Sequence, residues 1–215
     1  MNEIVKFIEE NKVLVICRGI YGEPLKMLIQ SLYNGGIRMA EVTFDQADPN
    51  GIEKTKDAIA LLKKEFPNMK IGSGTVMNVN QVVATKEAGG EFCLSPDVNV
   101  EVIQATKRAG LISIPGAMSA TEILCANRAG ADIVKIFPAG HLGLKYIKDI
   151  QGPINHVKFL AAAGVNEENF ADFLEAGYIG AGISGRLLDK EVIAQGNYNE
   201  LTRRAKVFVD IAQSK

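Results

Sequence analysis

Three ionisable residues stand where the sequence otherwise predicts buried β-strands. Lys135, Glu41 and Arg18 each lie within or directly after a short run of Val, Ile, Leu, Met or Phe. A charge in a buried strand is costly unless it is paired or has a function. One such residue could reach water at a strand end, but three on parallel strands would converge on the same end of one sheet. We therefore take them as the first candidates for a catalytic site.

The three residue types indicate carbonyl chemistry. Burial lowers the pKa of an amine because it disfavours the ammonium form. A neutral Lys135 could attack a ketone and form a Schiff base, whose iminium withdraws electrons from a neighbouring carbon–carbon bond. Glu41 would move protons as a general acid and base, and Arg18 would hold a carboxylate. The residues alone predict a Schiff-base lyase for a 2-oxo acid, with no metal and no cofactor.

The elements that must position these side chains alternate along the chain. Eight short apolar runs are separated by amphipathic stretches, and segment 1–12 predicts a helix before the first run. This alternation is typical of βα units around a parallel sheet. We predict an α/β fold, a (β/α)8 TIM barrel with an N-terminal helix, as a single domain over residues 1–215. An open doubly wound sheet is the alternative, although the first run is not followed by a dinucleotide-type glycine loop.

The element bounds follow from the same patterns. The predicted strands are Val13–Cys17, Met39–Phe44, Lys70–Gly72, Phe92–Leu94, Ile112–Ile114, Ile133–Phe137, Val157–Ala161 and Ile179–Ile183. The predicted helices after the first run are Pro24–Tyr33, Ile52–Glu65, Val79–Glu87, Val100–Arg108, Ala120–Arg128, Leu144–Ile150, Glu167–Glu175 and Tyr198–Gln213.

Composition excludes several classes of protein. The chain has 24 Lys and Arg against 25 Asp and Glu, so no charge excess favours nucleic acid or an anionic membrane. No apolar run reaches the roughly 18 residues of a membrane-spanning helix, and the N-terminal segment does not resemble a signal peptide. Three cysteines without a paired motif predict a reducing, cytoplasmic location. Only two histidines leave little material for a metal site or a Ser-His catalytic pair.

Glycine is enriched, at 21 of 215 residues, and falls into two groups. One group follows predicted helices, where a left-handed residue ends the helix. The other group lies at strand ends, where a small residue lets a ligand approach the backbone. The first group comprises Gly35, Gly36, Gly89, Gly90, Gly110, Gly130 and Gly177.

Five segments in chain order carry a further pattern. They are GGIRMAEVTF at 35–44, IGSGTV at 71–76, FCLSP at 92–96, IPGAMSATE at 114–122 and VKIFPA at 134–139. Together they resemble the 2-keto-3-deoxy-6-phosphogluconate / 4-hydroxy-2-oxoglutarate aldolase family, over nearly the whole chain. The resemblance implies a class I aldolase with a (β/α)8 barrel, assembled as a homotrimer.

The family resemblance also implies roles for individual residues. Lys135 would form the Schiff base and Glu41 would be the acid and base. Thr75 would hold the pyruvyl carboxylate, and Phe137 would pack against the pyruvyl group. The remaining substrate-binding residues would be Arg18 and Pro96.

Two departures from the family pattern bear on the substrate. Asp45 stands where many gluconate-type members of the family have an arginine that binds the carboxylate, so either Arg18 carries more of that task or the substrate differs. The phosphate loops are also altered, with Ala162-Ala163-Gly164 in place of Thr-Gly-Gly and Ser184-Gly185 in place of Gly-Ser. Ala163 restricts positive φ, while Arg186 could compensate by charge or could simply be solvated. The implied phosphate-binding residues are Ala163, Gly164, Ser184 and Gly185.

Three hypotheses remain open at the level of sequence. The first is cleavage of a 2-keto-3-deoxy-6-phospho sugar acid to pyruvate and glyceraldehyde 3-phosphate. The second is the same chemistry on unphosphorylated 4-hydroxy-2-oxoglutarate, which gives pyruvate and glyoxylate. The third is a barrel that binds a phosphate-containing ligand without catalysis, because fold alone does not decide function.

Overall fold

Short apolar runs form nine parallel strands in one sheet within residues 2–215, which the computed structural model describes. The sheet order is β5-β4-β3-β2-β1-β9-β8-β7-β6. The strands are β1 (Val13–Cys17), β2 (Met39–Thr43), β3 (Lys70–Gly74), β4 (Phe92–Leu94), β5 (Ile112–Ile114), β6 (Gly116–Ala117), β7 (Val134–Ile136), β8 (Phe159–Ala162) and β9 (Gly180–Ile183).

The helices within residues 2–215 are α1 (Glu3–Asn11), α2 (Gly22–Asn34), α3 (Gly51–Glu65), α4 (Val79–Glu87), α5 (Val100–Arg108), α6 (Ala120–Arg128), α7 (Ala139–Gln151), α8 (Phe170–Glu175), α9 (Lys190–Ala194) and α10 (Tyr198–Gln213). Helices α2 to α8 connect successive barrel strands, α1 precedes the first strand, and α9 and α10 follow the last. The predicted N-terminal helix is confirmed as α1, while Met1 lies outside the described residues.

The barrel closes through a strand that proline divides in two. Strand β5 pairs with β4, and β6 pairs with β7, so the two pieces on either side of Pro115 act as one barrel strand. Pro115 has no N–H to donate, but its carbonyl accepts a 2.8 Å hydrogen bond from the N–H of Lys135. The predicted (β/α)8 TIM barrel is therefore confirmed, with its fifth strand in two pieces.

The barrel interior is apolar at one end and covered there by α1. Val5 and Ile8 of α1 pack with Leu14, Met39 and Leu160 from three strands. A second apolar layer lies between the outside of the sheet and the surrounding helices. Because α1 occupies the amino-terminal end of the barrel, the carboxyl-terminal end is where a ligand can enter.

Several predicted bounds were wrong for local reasons. Strand β8, the seventh strand of the barrel, begins at Phe159, two residues later than predicted, and α8 begins at Phe170 instead of Glu167. Helix α7 starts earlier, at Ala139, and is kinked at Gly143, whose backbone is not helical and which separates two helical segments. Helix α9 was not predicted, since its five residues carry too little periodicity.

Five of the seven glycines predicted to end helices have positive φ, two residues after the last helical residue, namely Gly36, Gly89, Gly110, Gly130 and Gly177. These five residues occupy the left-handed region that Gly adopts without steric cost. The prediction was wrong for Gly35, which has φ −79°, and for Gly90, which is not among the residues with positive φ.

Gly116, at the point where the barrel closes, leaves no room for a side chain. A Cβ there would lie 2.8 Å from the carbonyl carbon of Pro96 and 3.0 Å from the carbonyl oxygen of Ser95. We expect Gly116→Ala to lower the free energy of unfolding by about 2 kcal/mol, because the clash is with backbone. Urea denaturation followed by circular dichroism measures this.

Gly152→Ala is the matched control. Gly152 has helical φ and ψ, and its nearest neighbour to a new Cβ is Asp149 O at 3.5 Å, an ordinary contact. The control should be neutral or slightly stabilising. Equal stability of the two variants would contradict the proposed role of Gly116.

Candidate active site

The predicted site residues come together around one cavity of about 390 Å³ at the carboxyl-terminal end of the barrel. We call it the site cavity. All ten predicted residues line it, namely Arg18, Glu41, Thr75, Pro96, Lys135, Phe137, Ala163, Gly164, Ser184 and Gly185. The other lining residues are Ile16, Ala162, Val165, Asn166, Gly182 and Arg186.

Lys135 occupies the middle of β7 and points its amine into the site cavity. The residue is 8% exposed, and its Nζ lies 5.3 Å from the ring centroid of Phe137. Within residues 2–215 the amine forms no ion pair. Burial lowers the pKa of Lys135 below its ordinary value, and the positive charge of Arg18 adds to this, while Glu41 acts in the opposite direction. A lowered pKa increases the fraction of nucleophilic amine.

Glu41 is the buried carboxylate beside this amine. It lies in β2 in register with Ile16 and Gly72, and it is 3% exposed. Its Oε2 has no hydrogen-bond partner among the described residues. Burial raises the pKa of Glu41 to about 7, although the charges of Lys135 and Arg18 oppose the shift. A carboxyl group that titrates near neutral pH can both give and take a proton.

Gly74 makes the room that the Glu41 carboxyl group occupies. A Cβ at Gly74 would lie 2.5 Å from Glu41 Cδ and 2.8 Å from its Oε2. Any larger residue at the end of β3 would displace the carboxyl group from the site cavity. Gly74 lies at a strand end, where the sequence predicts that a small residue lets a ligand approach, and here the group that it admits is a side chain of the protein.

Arg18 lies at the exposed rim of the site cavity, directly after β1. Its guanidinium forms no ion pair with any residue from 2 to 215, so its N–H donors face the cavity without a competing carboxylate. Asp45 does not line the cavity, because its Oδ1 instead accepts a 3.0 Å hydrogen bond from the N–H of Ala47. Arg18 is therefore the cation available near the Lys135 amine.

Two glutamines that the sequence did not single out hold Thr75. Thr75 has φ +56°, a left-handed conformation that is uncommon for a β-branched residue. Gln46 Nε2 donates to the Thr75 carbonyl at 2.8 Å, and Gln81 Nε2 donates to Gln46 Oε1 at 2.9 Å. Gln81 Oε1 in turn accepts from the N–H of Met77 at 2.7 Å. The contacts of Gln46 with Thr75 and with Gln81 join residues far apart in sequence, which is why no local sequence pattern predicts them.

The turn after β8 forms the far side of the site cavity. Ala163 has φ +68° and Gly164 has φ +83°. The N–H of Gly140, at the start of α7, donates to the Ala163 carbonyl at 2.8 Å. A Cβ at Gly164 would lie 2.8 Å from Gly140 Cα, so the turn and the helix start pack backbone to backbone. Ala163 thus adopts the positive φ that its Cβ disfavours.

Arg186 completes this side, and here the structure settles its surroundings. Its Nη1 lies 2.8 Å from Glu168 Oε1 and 3.1 Å from Glu167 Oε1. From the sequence, Arg186 could either be solvated or supply a charge that compensates for the altered phosphate loop. Its two glutamate partners were not predicted. Both were assigned to a helix that in fact starts at Phe170.

Other candidates lie outside the site cavity. His141 is exposed on α7 and does not line it. Within the described part of the chain, no group of three His, Cys, Asp or Glu side chains is placed to hold a metal ion. None of the helices in residues 2–215 is long and apolar enough to cross a membrane.

Comparison with known proteins places this geometry in a family. The profile of the family described as "Aldolase: KDPG and KHG aldolase" matches residues 4–204. The chain belongs to this family.

Individual members of the family show the extent of the similarity. The chain is 30% identical to 2-dehydro-3-deoxy-phosphogluconate aldolase of Treponema pallidum, over 98% of both chains. It is 31% identical to the probable 2-dehydro-3-deoxy-6-phosphogalactonate aldolase of Rhizobium meliloti, over 83% of this chain and 82% of the relative. Among solved structures, KDPG aldolase from Legionella pneumophila, with pyruvate captured at low pH as a covalent carbinolamine, aligns with a TM-score of 0.83 at 28% identity. That alignment covers 94% of this chain and 95% of the other.

The backbone of Ala163 gives a prediction about stability. Ala163→Gly should raise the free energy of unfolding by about 1 kcal/mol, because glycine adopts φ +68° without the Cβ clash. Ala162→Gly, one residue earlier inside β8, is the control and should lower stability by roughly 0.5–1 kcal/mol. Denaturant unfolding of the two variants measures both, and equal effects would show that Ala163 carries no strain.

The pKa of Lys135 gives a second prediction. Glu41→Gln should lower the pKa of the Lys135 amine further, because it removes the negative charge that opposes the burial effect. Asp97→Asn should lower it less, since Asp97 exerts the smaller effect of the two. NMR titration of protein labelled with 13C at lysine Cε follows the amine directly. A pKa that rises in the Glu41 variant would be incompatible with this account of the electrostatics.

Proposed function

We propose that this protein is an aldehyde-lyase, a class I aldolase that reversibly cleaves a 2-keto-3-deoxy-6-phospho sugar acid to pyruvate and glyceraldehyde 3-phosphate. The observation that carries the proposal is the buried amine of Lys135, without an ion pair in residues 2–215, beside the buried carboxyl group of Glu41 in one cavity. Membership of the KDPG and KHG aldolase family supports it. So does the captured pyruvate adduct of the Legionella pneumophila relative.

The proposed reaction begins with attack of the neutral Lys135 amine on the C2 carbonyl of the substrate. Loss of water from the carbinolamine gives the iminium. Glu41 then takes the proton of the C4 hydroxyl, the C3–C4 bond breaks, and its electron pair flows to the iminium nitrogen to give an enamine. The aldehyde leaves, Glu41 returns a proton to C3, and water hydrolyses the resulting iminium to release pyruvate and the Lys135 amine.

The burial of both groups supports these assignments. An amine with a lowered pKa attacks a ketone faster at neutral pH because more of it is unprotonated. A carboxyl group with a pKa of about 7 changes protonation state at little free-energy cost near that pH. Neither group is tied into an ion pair within residues 2–215 that the reaction would have to break.

Four further residues are proposed to bind the pyruvyl part of the substrate. The guanidinium of Arg18 and the residue Thr75 would hold the C1 carboxylate, as charge-assisted hydrogen bonds are the strong ones. Phe137 would pack against the pyruvyl group from the Lys135 side, where its ring already lies 5.3 Å from Nζ. Pro96 would form the opposite wall.

The phosphate is proposed to bind at the far side of the site cavity. Ala163, Gly164, Ser184 and Gly185 would bind it through backbone N–H groups and the Ser184 hydroxyl. Backbone N–H groups in left-handed turns form concave sites that suit anions. The positive φ values at Ala163, Gly164 and Gly185 support this assignment.

Unphosphorylated 4-hydroxy-2-oxoglutarate is the second candidate substrate, with pyruvate and glyoxylate as products. The two carboxylates of Glu167 and Glu168 on the far side of the cavity favour it, because they oppose a phosphate dianion. The family description includes this substrate class. A non-catalytic phosphate-binding barrel is less well supported, since binding alone does not require a buried amine and a buried carboxyl group.

We further propose a cytoplasmic homotrimer in which residues 1–215 form one domain. Four of the six large apolar side chains that are exposed among the described residues support an assembly of several copies, because they fall on successive βα units. They are Met77, Val83, Val100 and Met118, while the other two are Met27 on α2 and Phe137 in the site cavity.

Trapping with borohydride tests the proposed chemistry. Incubation of the protein with pyruvate and borohydride should leave a reduced adduct on Lys135, detected by mass spectrometry of the intact chain and its peptides. Lys135→Met should abolish the adduct and lower kcat for cleavage at least 10³-fold, on the order expected when a covalent catalyst is removed. The highly exposed Lys145 serves as the control, and Lys145→Met should keep both. Absence of an adduct on the parent protein would refute the aldolase proposal for every substrate.

A further inference from the structure

Arg186 occupies a distinctive position at the far side of the site cavity. It lines the cavity and directly follows Gly185. Its Nη1 lies 3.1 Å from Glu167 Oε1 and 2.8 Å from Glu168 Oε1. The Arg186 guanidinium therefore pairs with two carboxylates, and the positive charge of Arg204 also acts on Glu167.

The elements on both sides of this cluster are fixed. Asn166 Oδ1 accepts from the N–H groups of Glu168 and Asn169, and Asn169 Oδ1 accepts from the N–H of Asn166. These reciprocal bonds hold the turn that carries both glutamates. On the other side, the Arg204 guanidinium donates to the backbone carbonyl of Arg186. The backbone of the cluster is thus rigid, and the adjustable part is the Arg186 side chain.

The ion pairs that hold Arg186 are weak enough to exchange. The side chains of Arg186 and Glu168 are 57% and 71% exposed, and exposed ion pairs contribute little to stability. A phosphate dianion offers the same guanidinium several oxygens and a higher charge than either carboxylate. Arg186 can therefore leave one glutamate for a phosphate at small cost.

We propose that Arg186 determines specificity at this site, binding the phosphate of the substrate in competition with Glu167 and Glu168. The inference rests on the aldolase function proposed above. The phosphate of a six-carbon substrate lies at the end farthest from Lys135. The second carboxylate of 4-hydroxy-2-oxoglutarate is bonded to C4, next to the bond that is cleaved. Arg186 therefore acts on the phosphorylated substrate, and the two glutamates set how strongly that substrate is preferred.

Steady-state kinetics with both substrates tests the proposal. Arg186→Gln should raise KM for the phosphorylated substrate about tenfold, with kcat little changed, and should thereby lower the ratio of kcat/KM values for the phosphorylated and short substrates about tenfold. The double variant Glu167→Gln/Glu168→Gln should shift the same ratio about threefold in the opposite direction, because it removes the competitors for Arg186. Added salt should raise KM for the phosphorylated substrate more in the parent than in the Arg186 variant.

Arg108→Gln is the matched control. Arg108 is exposed at the end of α5 and does not line the site cavity. It should leave the ratio unchanged. The proposal is overturned if Arg186→Gln changes kcat/KM equally for both substrates or for neither. It is also overturned if Arg186→Gln and the double variant Glu167→Gln/Glu168→Gln shift the ratio of kcat/KM values in the same direction.

Pyruvate trapping separates this result from a failure of the aldolase proposal. If the parent and Arg186→Gln both form the borohydride adduct and the ratio does not move, only the role of Arg186 fails. If the parent forms no adduct, the proposed function itself fails. Equal thermal unfolding temperatures of the parent and variants exclude misfolding as the cause of a kinetic change.

Discussion

An amine and a carboxyl group buried in the same cavity impose the main physical constraint on this barrel. Each would prefer water, and the two reduce each other's cost only in part, because no ion pair joins Lys135 to Glu41. Their burial shifts the two pKa values toward each other and toward neutrality. The surrounding structure must therefore supply rigid walls that keep both groups in place without bonding them.

The closed parallel sheet supplies that rigidity. Each barrel strand is paired on both sides, so the backbone has no free edge that could bend toward water. The carbonyl of Pro115 accepts a hydrogen bond from the backbone N–H of Lys135 where the fifth strand divides, which connects the strand of Lys135 to the point of closure. Gly74 and Gly116 then allow close approach where a side chain would disturb the cavity. The closed backbone and these two glycines thus determine together where Lys135 and Glu41 lie.

The sequence predicts those features of the fold and the site that produce a local pattern of residue types. The barrel fold could be predicted because apolar runs alternate with amphipathic stretches. The site candidates Lys135 and Glu41 could be predicted because a charge within an apolar run is unusual. The family resemblance added residues such as Thr75, whose type alone is unremarkable. The contacts of Gln46 with Thr75 and of Glu168 with Arg186 span loops of different units. No periodicity encodes such pairs, and only the folded arrangement brings them together.

Helix α1, which covers the amino-terminal end of the barrel, limits the route by which the substrates and products of the proposed reaction enter and leave. Val5 and Ile8 of α1 fill that end, so the site cavity is a blind pocket with one mouth. In the proposed reaction the pyruvyl group stays covalently attached to Lys135 when the aldehyde is formed, so the aldehyde departs first and, in the synthetic direction, pyruvate enters first. Because the apolar side chains of α1 close the other end of the barrel, both molecules pass through the same mouth in that order.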